Sequence, residues 1–183
     1  MEKFRFLLSG SGGQGVISLA VLLAEAASLE EGLTAVQSQA YGPEARGGAT
    51  RSDVIISETP IFFPKVRQPN ILVALTNEAA GKYLPLIRPG GLFLYDVDLV
   101  QPDGRVDARK VGLPMYAAVK ETFGRAVAFN ICVLGVLLAL TGAVGPDAVR
   151  KRLKSNFDPA HHAANNRALD LGLDLAAPCP PYP

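Results

Sequence analysis

A glycine-rich turn between an apolar strand pattern and an apolar helix pattern constrains this chain more than any other feature. Residues 4–8 are mostly apolar, residues 10–15 match the pattern G-x-G-x-x-G, and apolar residues then recur at helical spacing over residues 16–27. Glycine suits such a turn because a Cβ atom would obstruct both the turn and the approach of a ligand to the backbone N–H groups at the helix start. The order of strand, turn and helix predicts the opening unit of an α/β fold.

The turn has two interpretations. The start of the helix offers unpaired N–H groups and a partial positive charge, which favour an anion such as a phosphate, but the glycines also suit close packing of the helix on the strand with no ligand. The acid that would hold the ribose of a dinucleotide is missing, because the second predicted strand ends in Gln37, Ser38 and Gln39. No G-K-[ST] sequence follows the turn, which disfavours a P-loop nucleotide hydrolase. The residues concerned are Gly10, Ser11, Gly12, Gly13, Gln14 and Gly15.

Strand and helix patterns alternate along the rest of the chain. The short apolar strands predict a single-domain, Rossmann-like α/β fold, with a mainly parallel sheet and helices on both faces. Residues 61–64 follow Pro60 and end in Pro64, and this stretch is predicted to be a short edge strand, where a missing hydrogen-bond donor is tolerated. The predicted domain spans residues 1–175 and ends in two short helices, and residues 176–183 form a proline-rich tail. The other predicted strands are 33–37, 53–57, 71–75 and 92–95, and the other predicted helices are 78–87 and 126–140.

Composition narrows the class of protein. A chain of 183 residues that is 49% hydrophobic can bury a core, and its net charge of +1 provides no basic stripe for nucleic acid. Cys132 and Cys179 form neither a metal-binding pattern nor a disulfide framework, and no secretory signal is apparent, so we expect a cytoplasmic protein. The uncharged stretch 126–146 is predicted to be a buried core helix rather than a membrane span. The adjacent histidines His161 and His162 lack the spacing of a shared metal site.

A second loop, residues 41–48, reads Tyr-Gly-Pro-Glu-Ala-Arg-Gly-Gly. Its glycines and proline release or fix the backbone on both sides of Glu44 and Arg46, so the charged groups can be held at a defined angle. The loop is either a recognition surface or a structural turn with a local ion pair.

Several segments together resemble the gamma subunits of 2-oxoacid:ferredoxin oxidoreductases. Residues 10–15 are similar to the opening glycine pattern of that family, and residues 39–48 are similar to its second and more specific signature. Residues 64–66, which read Pro-Lys-Val, and residues 88–91, which read Arg-Pro-Gly-Gly, together with Tyr95 and Asp96, resemble the 2-oxoglutarate branch in particular. The resemblance covers nearly the whole chain.

The resemblance implies an accessory subunit that is inactive alone. The implied reaction converts 2-oxoglutarate, coenzyme A and oxidised ferredoxin to succinyl-CoA, carbon dioxide and reduced ferredoxin. The implied cofactors are thiamine diphosphate, magnesium and iron–sulfur clusters, all on other subunits, with coenzyme A as a substrate. The implied partners are alpha, beta and ferredoxin-like delta subunits, with ferredoxin bound through the complex. Nucleic acid and membrane partners are not expected, and the isolated chain could form a homodimer.

No catalytic or metal-binding residue is assigned to this chain itself. The turn at residues 10–15 is assigned to a phosphate of coenzyme A, and Arg46 to a phosphate or a partner carboxylate. Docking of other subunits by both loops, a purely structural scaffold, and a stand-alone nucleotide-binding module of Rossmann type remain the alternatives. The residues that the resemblance implies for an interface or a ligand loop are Tyr41, Gly42, Pro43, Glu44, Arg46, Gly47, Gly48, Ser52 and Asn130.

Overall fold

The computed structural model describes residues 4–39, 49–102 and 105–183. The strands are β1 (Phe4–Ser11), β2 (Thr34–Gln39), β3 (Ala49–Ser57), β4 (Ile71–Ala74), β5 (Gly91–Asp96) and β6 (Ala108–Leu113). The helices are α1 (Val16–Glu25), α2 (Asn77–Tyr83), α3 (Met115–Phe123), α4 (Phe129–Thr141), α5 (Pro146–Asn156) and α6 (Pro159–Ala176). A π-helical turn (Ala26–Glu30) continues α1, and a 3-10 turn (Leu84–Leu86) follows α2.

The strands form one sheet in the order β2-β3-β1-β4-β5-β6. β1, β4, β5 and β6 pair in parallel, whereas β3 runs antiparallel to both of its neighbours, β1 and β2. All strands except β3 therefore point in one direction, and the prediction of a mainly parallel α/β sheet is confirmed. The carboxyl ends of β1, β2, β4, β5 and β6 lie at the same edge of the sheet, which is the edge where open α/β folds usually bind ligands.

Helices cover the two faces of the sheet unequally. Along β1, Phe6 and Leu8 point into the larger core, which also contains side chains of α1, α3, α4, α5 and α6. Leu7, between them, points to the opposite face, where the core contains side chains of α2 and of the segment around Val66. This alternation is the two-residue period of a strand buried on both faces. Among the described elements, one helix and the irregular segment around Val66 cover the smaller core, whereas five helices cover the larger one.

Helix α4 is a buried helix of the larger core, and the sequence predicted a buried core helix at this position. Its side chains are buried along nearly its whole length, from Phe129 to Thr141. It packs against α6 through two glycines, since a Cβ atom on Gly135 would lie 2.3 Å from the carbonyl oxygen of Leu169. In the described part of the chain, no helix has the length and apolar character needed to cross a membrane.

The predicted edge strand at residues 61–64 is wrong. Residues 58–70 form an irregular segment, in which Phe62 and Phe63 are exposed. Side-chain hydrogen bonds hold this segment in place of the backbone hydrogen bonds of a sheet. The carboxylate of Asp53 accepts a hydrogen bond from the N–H of Val66, and Arg51 donates one to the carbonyl of Val66. The prolines in this segment remove N–H donors, so a continuous ladder cannot form.

The sequence analysis missed β6 and α3. Strand β6 lies at the edge of the sheet, and only Val111 among its residues is buried, so it lacks the continuous apolar run of the inner strands. Helix α3 is short and amphipathic, with Met115 and Val119 buried. The second of the two predicted C-terminal helices, α6, is not short, because it extends over 18 residues.

Candidate functional site

The glycine turn joins β1 to α1 at the carboxyl edge of the sheet, and the side chain of Gln14 holds it in place. The Oε1 atom of Gln14 accepts a hydrogen bond of 2.7 Å from the N–H of Ser11, and its Nε2 atom donates to the carbonyl of Leu75 at 3.2 Å. A Cβ atom on Gly10 would lie 2.4 Å from that Oε1 atom. Glycine at position 10 therefore makes room for the amide that closes the turn and joins it to the end of β4.

Gly15 and Asn130 join the turn to helix α4. Gly15 has a φ of 70°, and its carbonyl accepts a hydrogen bond of 3.3 Å from Nδ2 of Asn130. A Cβ atom on Gly15 would lie 2.6 Å from the same nitrogen, so both the backbone angle and the close approach require glycine. The structure thus brings together Gly15 and Asn130, which are 115 residues apart in the sequence.

The outer part of the turn is open. Gly12 and Gly13 are exposed, and a Cβ atom on either would have no neighbouring atom within 4 Å. Gly13 has a φ of 87°, which explains glycine there, but Gly12 shows no positive φ. Among the described residues, neither a neighbouring atom nor the backbone angle requires glycine at position 12. An approaching group from outside the chain would require it.

A cleft of about 380 Å³ lies beside the turn. Residues 13–15, Tyr116 and residues 126–130 line it, so that the starts of α1 and α4 meet there. Neither helix start has a capping side chain or an acid in its first turn. The N-terminal N–H groups and the positive ends of the two helix dipoles act together, and the cleft is therefore suited to an anion such as a phosphate.

The backbone at Ala128 is strained where α4 begins. Ala128 precedes the helix with a φ of 57°, and it is the one residue other than glycine with positive φ in the part of the chain that the structure describes. Its carbonyl accepts hydrogen bonds from the N–H groups of Ile131 and Cys132, which fix the first turn of α4. Strained backbone of this kind is common at ligand-binding sites, and here it lies in the lining of the cleft.

Asp96 supports the other wall of the cleft. It ends β5, is fully buried, and accepts hydrogen bonds from the N–H groups of Asp98 and Tyr116. Burial raises the pKa of its carboxyl group above the ordinary value, although the backbone hydrogen bonds oppose that rise. The ring of Tyr116 then packs edge-on against Phe129, with 5.6 Å between the ring centroids. Asp96 thus acts as a turn former, and it also fixes the start of α3. Tyr116 itself was missed because α3 was missed.

Ser52 lies away from the cleft. It is fully buried in β3, where its hydroxyl accepts a hydrogen bond from Nε2 of Gln37 and donates to the carbonyl of Ser38. In this structure the hydroxyl links β2 to β3 and offers no surface to a ligand or a partner. The resemblance placed Ser52 in the interface or ligand set, which stays a prediction, and the structure shows its hydroxyl bonded within the sheet.

The predicted loop residues Tyr41, Gly42, Pro43, Glu44, Arg46, Gly47 and Gly48 lie outside the described residues. The strands on either side of them are described. β2 ends at Gln39, and β3 begins at Ala49, which is in register with Ser11 at the end of β1. Both attachment points therefore lie at the edge of the sheet that carries the glycine turn.

The sheet order differs from that of a dinucleotide-binding fold at the strand that would supply the acid for the ribose. In such folds the second parallel strand lies beside the first and supplies the acid for the ribose. Here β3 lies between β1 and β2, so the end of β2 is displaced by one strand from the turn. The missing acid after Val36 and the inserted strand together disfavour the Rossmann-type dinucleotide module.

Comparison with known proteins identifies the family. The family model described as pyruvate ferredoxin/flavodoxin oxidoreductase matches residues 5–175. The chain belongs to this family. Within it, the chain is 41% identical over 171 residues to the 2-oxoglutarate synthase subunit KorC of Methanocaldococcus jannaschii, a match that covers 92% of this chain and 91% of that protein.

Two further members of the family define the type of chain. The gamma subunit of a keto/oxoacid ferredoxin oxidoreductase from Geobacter sulfurreducens has a solved structure that matches with a TM-score of 0.86 and 39% identity, over 96% of this chain and 99% of that one. The ketoisovalerate oxidoreductase subunit VorA of Methanothermobacter marburgensis is 37% identical over 95% of this chain but only 35% of its own length. The predicted gamma-type subunit of a 2-oxoacid:ferredoxin oxidoreductase is confirmed.

In this member of the family, the thiol nearest the site is buried rather than reactive. Cys132 lies in α4 with no exposed surface, and burial, followed by the charge of Asp96, raises its pKa to about 12. His162 is bonded through Nε2 to the carbonyl oxygen of Phe157, at the start of α6. Among the described residues, no group of three or more potential ligands could hold a metal ion.

Proposed function

We propose that this chain is the gamma subunit of an enzyme that oxidises 2-oxoglutarate with coenzyme A to succinyl-CoA and carbon dioxide and reduces ferredoxin. The end-to-end similarity to KorC subunits carries this proposal, since four of them are 36–41% identical over 92% of this chain. The pyruvate/ketoisovalerate gamma subunit of Thermococcus kodakarensis is more distant, at 25% identity. Thiamine diphosphate, magnesium and the iron–sulfur clusters then belong to the alpha, beta and delta subunits, and this chain alone is inactive.

The chain would contribute a phosphate-binding site for coenzyme A at the glycine turn. The two uncapped helix starts at the cleft, without an acid in either first turn, support this role. Gly12 supports it as well, because no described residue lies close enough to position 12 to exclude a side chain there. Arg46 would approach the same edge of the sheet from the loop between β2 and β3 and would pair with a second phosphate or with a partner carboxylate.

Docking of another subunit by the same turn is the competing role. Open glycines and an arginine-containing loop suit a close backbone-to-backbone contact between subunits as well as they suit a phosphate. The two roles differ in what a substitution changes. Loss of a phosphate contact raises the KM for coenzyme A in an assembled enzyme, whereas loss of a docking contact prevents assembly.

The experiment compares Gly12→Ala and Arg46→Ala in a complex reassembled from this chain and its partner subunits. A methyl group at position 12 would contact none of the described residues, so a raised KM in an assembled complex would point to the ligand. We expect the KM for coenzyme A to rise about tenfold or more in each variant, as for the loss of a hydrogen bond to a charged group, with kcat and assembly retained.

Gly81→Ala is the matched control. Gly81 is an exposed glycine of α2 that likewise has no neighbour within 4 Å of an added Cβ atom, and it lies on the other face of the sheet. The complex that contains Gly81→Ala should have the same KM for coenzyme A as the wild type. If Gly12→Ala and Arg46→Ala abolish assembly while the residual complex shows a normal KM, the coenzyme A role is wrong and the docking role stands. Activity with pyruvate or a branched-chain 2-oxo acid in place of 2-oxoglutarate would refute the substrate assignment.

A further inference from the structure

A cavity of about 650 Å³ lies at the edge of the sheet opposite to the glycine turn. Arg5 near the start of β1, Arg88 before β5 and the segment 63–68 line it. Arg5 and Arg88 lie at the amino ends of β1 and β5, and the segment 63–68 extends from there along the face of the sheet, where Ser38 bonds to Pro64 and Asp53 bonds to Val66. None of the described residues that line this cavity belongs to the glycine turn or to the cleft beside it, and the proposed function does not use the cavity.

The lining of this cavity is strongly basic. Arg5, Lys65, Arg67 and Arg88 contribute four cations, Phe63 and Gln68 are the other described residues of the lining, and none of these described residues is an acid. The whole chain carries a net charge of only +1, so this is a local concentration of positive charge. Within the described ranges, no acid forms an ion pair with Arg5, Lys65 or Arg67. The positive charges of Arg5, Lys65 and Arg67 repel one another, and a bound anionic group would relieve that repulsion.

The positive surface continues beyond this cavity. Lys65 and Arg67 also line a second cavity of about 350 Å³, together with Arg51 and Asp53. Arg51 and Asp53 form an ion pair of 2.8 Å, so they add no net charge to the surface. The unneutralised charge therefore comes from the segment that carries Lys65 and Arg67.

Two exposed aromatic side chains accompany the cations. Phe62 is 93% exposed and Phe63 is 51% exposed, and both belong to the irregular segment that covers the thinly protected face of the sheet. The guanidinium of Arg67 lies 5.0 Å from the ring centroid of Phe63. Exposed aromatic residues beside arginine are typical of the centres of protein interfaces, where both side chains become buried.

The segment that carries these side chains is fixed to the sheet. The side chain of Val66 is buried, its N–H donates to Asp53 at 3.0 Å, and its carbonyl accepts from Arg51. A segment held in this way presents its cations and rings in one arrangement, and this lowers the entropy cost of binding a partner.

We propose that Arg5, Phe62, Phe63, Lys65, Arg67 and Arg88, here called the basic platform, dock an acidic segment of another subunit of the enzyme. Carboxylates of that segment would pair with the cations, and its apolar side chains would cover the two phenylalanines. A protein segment fits better than a small phosphate-bearing ligand, because Phe62 lies outside the cavity and a small anion would leave it uncovered. The inference rests on the proposed function only in requiring that partner subunits exist.

Charge reversal in the assembled enzyme tests the platform. Lys65→Glu with Arg67→Glu should weaken the association of this chain with its partner subunits by at least about tenfold, and the weakening should diminish at high salt. Association is measured by titrating the partner subcomplex with labelled chain. Thermal unfolding of each isolated variant shows whether the chain still folds.

The control reverses the same number of charges on the other face of the sheet. Lys120 of α3 and Lys154 of α5 are exposed lysines on helices of the larger core, and neither forms an ion pair in the described part of the chain. Lys120→Glu with Lys154→Glu should bind the partner subunits within about twofold of the wild type, as expected for charges outside the interface.

A second experiment identifies the partner group. A carbodiimide joins a lysine amine directly to a carboxylate with loss of water, and Lys65 is the one lysine of the platform. In the assembled complex we expect Lys65 to be linked to an Asp or Glu of another subunit. Unchanged association of the Lys65→Glu, Arg67→Glu variant, or the absence of a link from Lys65, would overturn the proposal.

Two further outcomes distinguish a failure of the docking proposal from a failure of the proposed function. Normal assembly of the platform variant with a raised KM for coenzyme A would assign the platform to a phosphate-bearing ligand and would overturn the docking proposal. Failure of the wild-type chain to bind any cluster-bearing subunit would instead contradict the proposed function itself.

Discussion

Substitution of Gly172 by alanine tests the close packing of α6 against α4, the helix whose first residues line the candidate site. Gly172 lies on α6, and a Cβ atom there would lie 2.1 Å from the carbonyl oxygen of Cys132 and 2.9 Å from the backbone nitrogen of Val136. Carbon and oxygen atoms that are not bonded normally approach no closer than about 3.3 Å. Both obstructing atoms belong to the backbone of α4, so no side-chain rotation can make room. The two helices must separate.

The expected loss of stability follows from two opposing effects. Alanine favours a helix over glycine by about 1 kcal/mol, but overpacking a core costs about 1–3 kcal/mol and sometimes more. Because the clash is with backbone atoms on a fully buried helix, we place it at the upper end and expect a net loss of about 2 kcal/mol. For a chain of this length, a loss of that size lowers Tm by roughly 4–8 °C. Separation of the helices would also shift Asn130 at the start of α4 and weaken its contact with Gly15.

Thermal and urea unfolding of the isolated chain, followed by circular dichroism, measure the effect. Gly81→Ala is the control, because Gly81 lies in a helix with open space around its Cα atom and should gain about 0.5–1 kcal/mol from helix propensity. The two substitutions are chemically identical and should differ in sign. If Gly172→Ala is as stable as the wild type or more stable, the close approach of α4 and α6 is wrong.

Two further predictions concern buried titratable groups. Burial raises the pKa of Asp96, so its protonated form is favoured in the folded chain, and its contribution to stability is present below the unfolded value of 3.8 and is lost as pH rises through the raised pKa. The wild type should therefore lose stability relative to Asp96→Asn as pH rises from about 4 to 7 in parallel unfolding curves, and a constant or opposite difference would contradict this reasoning. Cys132, with a pKa of about 12, should not react with a disulfide reagent in the folded chain. Cys179 is partly exposed, so we expect one rapidly reacting thiol per native chain and two after denaturation. Two rapidly reacting thiols in the native chain would show that Cys132 is accessible and that its burial in the core is wrong.

The sequence alone predicted those strands, helices and turns that depend only on neighbouring residues. The glycine turn, the strand before it and the helix after it were predictable, because φ freedom and apolar periodicity are properties of neighbouring residues. The buried α4 was predictable for the same reason, since an uncharged run of that length with interrupting polar residues suits a core helix. Inner strands such as β4 and β5 are buried on both faces and show it as continuous apolar runs.

The elements that depend on position within the sheet were not predictable. β6 is at an edge and half-exposed, so its sequence resembles a loop, and the predicted strand at residues 61–64 has the right composition but no partner strand. The insertion of β3 between β1 and β2 also cannot be inferred from residue types, because strand order depends on how the whole chain packs.

The residues of the candidate site could be predicted from the sequence, but their contacts with one another could not. The sequence alone determined the glycines at positions 10–15, and the resemblance added Asn130 to the candidate set. Only the tertiary structure decided that Asn130 bonds to Gly15, that the starts of α1 and α4 share one cleft, and that Asp96 fixes Tyr116 in its wall. Contacts between residues this far apart in the chain form through packing of the whole core. A pattern confined to neighbouring residues can specify a turn, but the surface that the turn faces is specified by the fold.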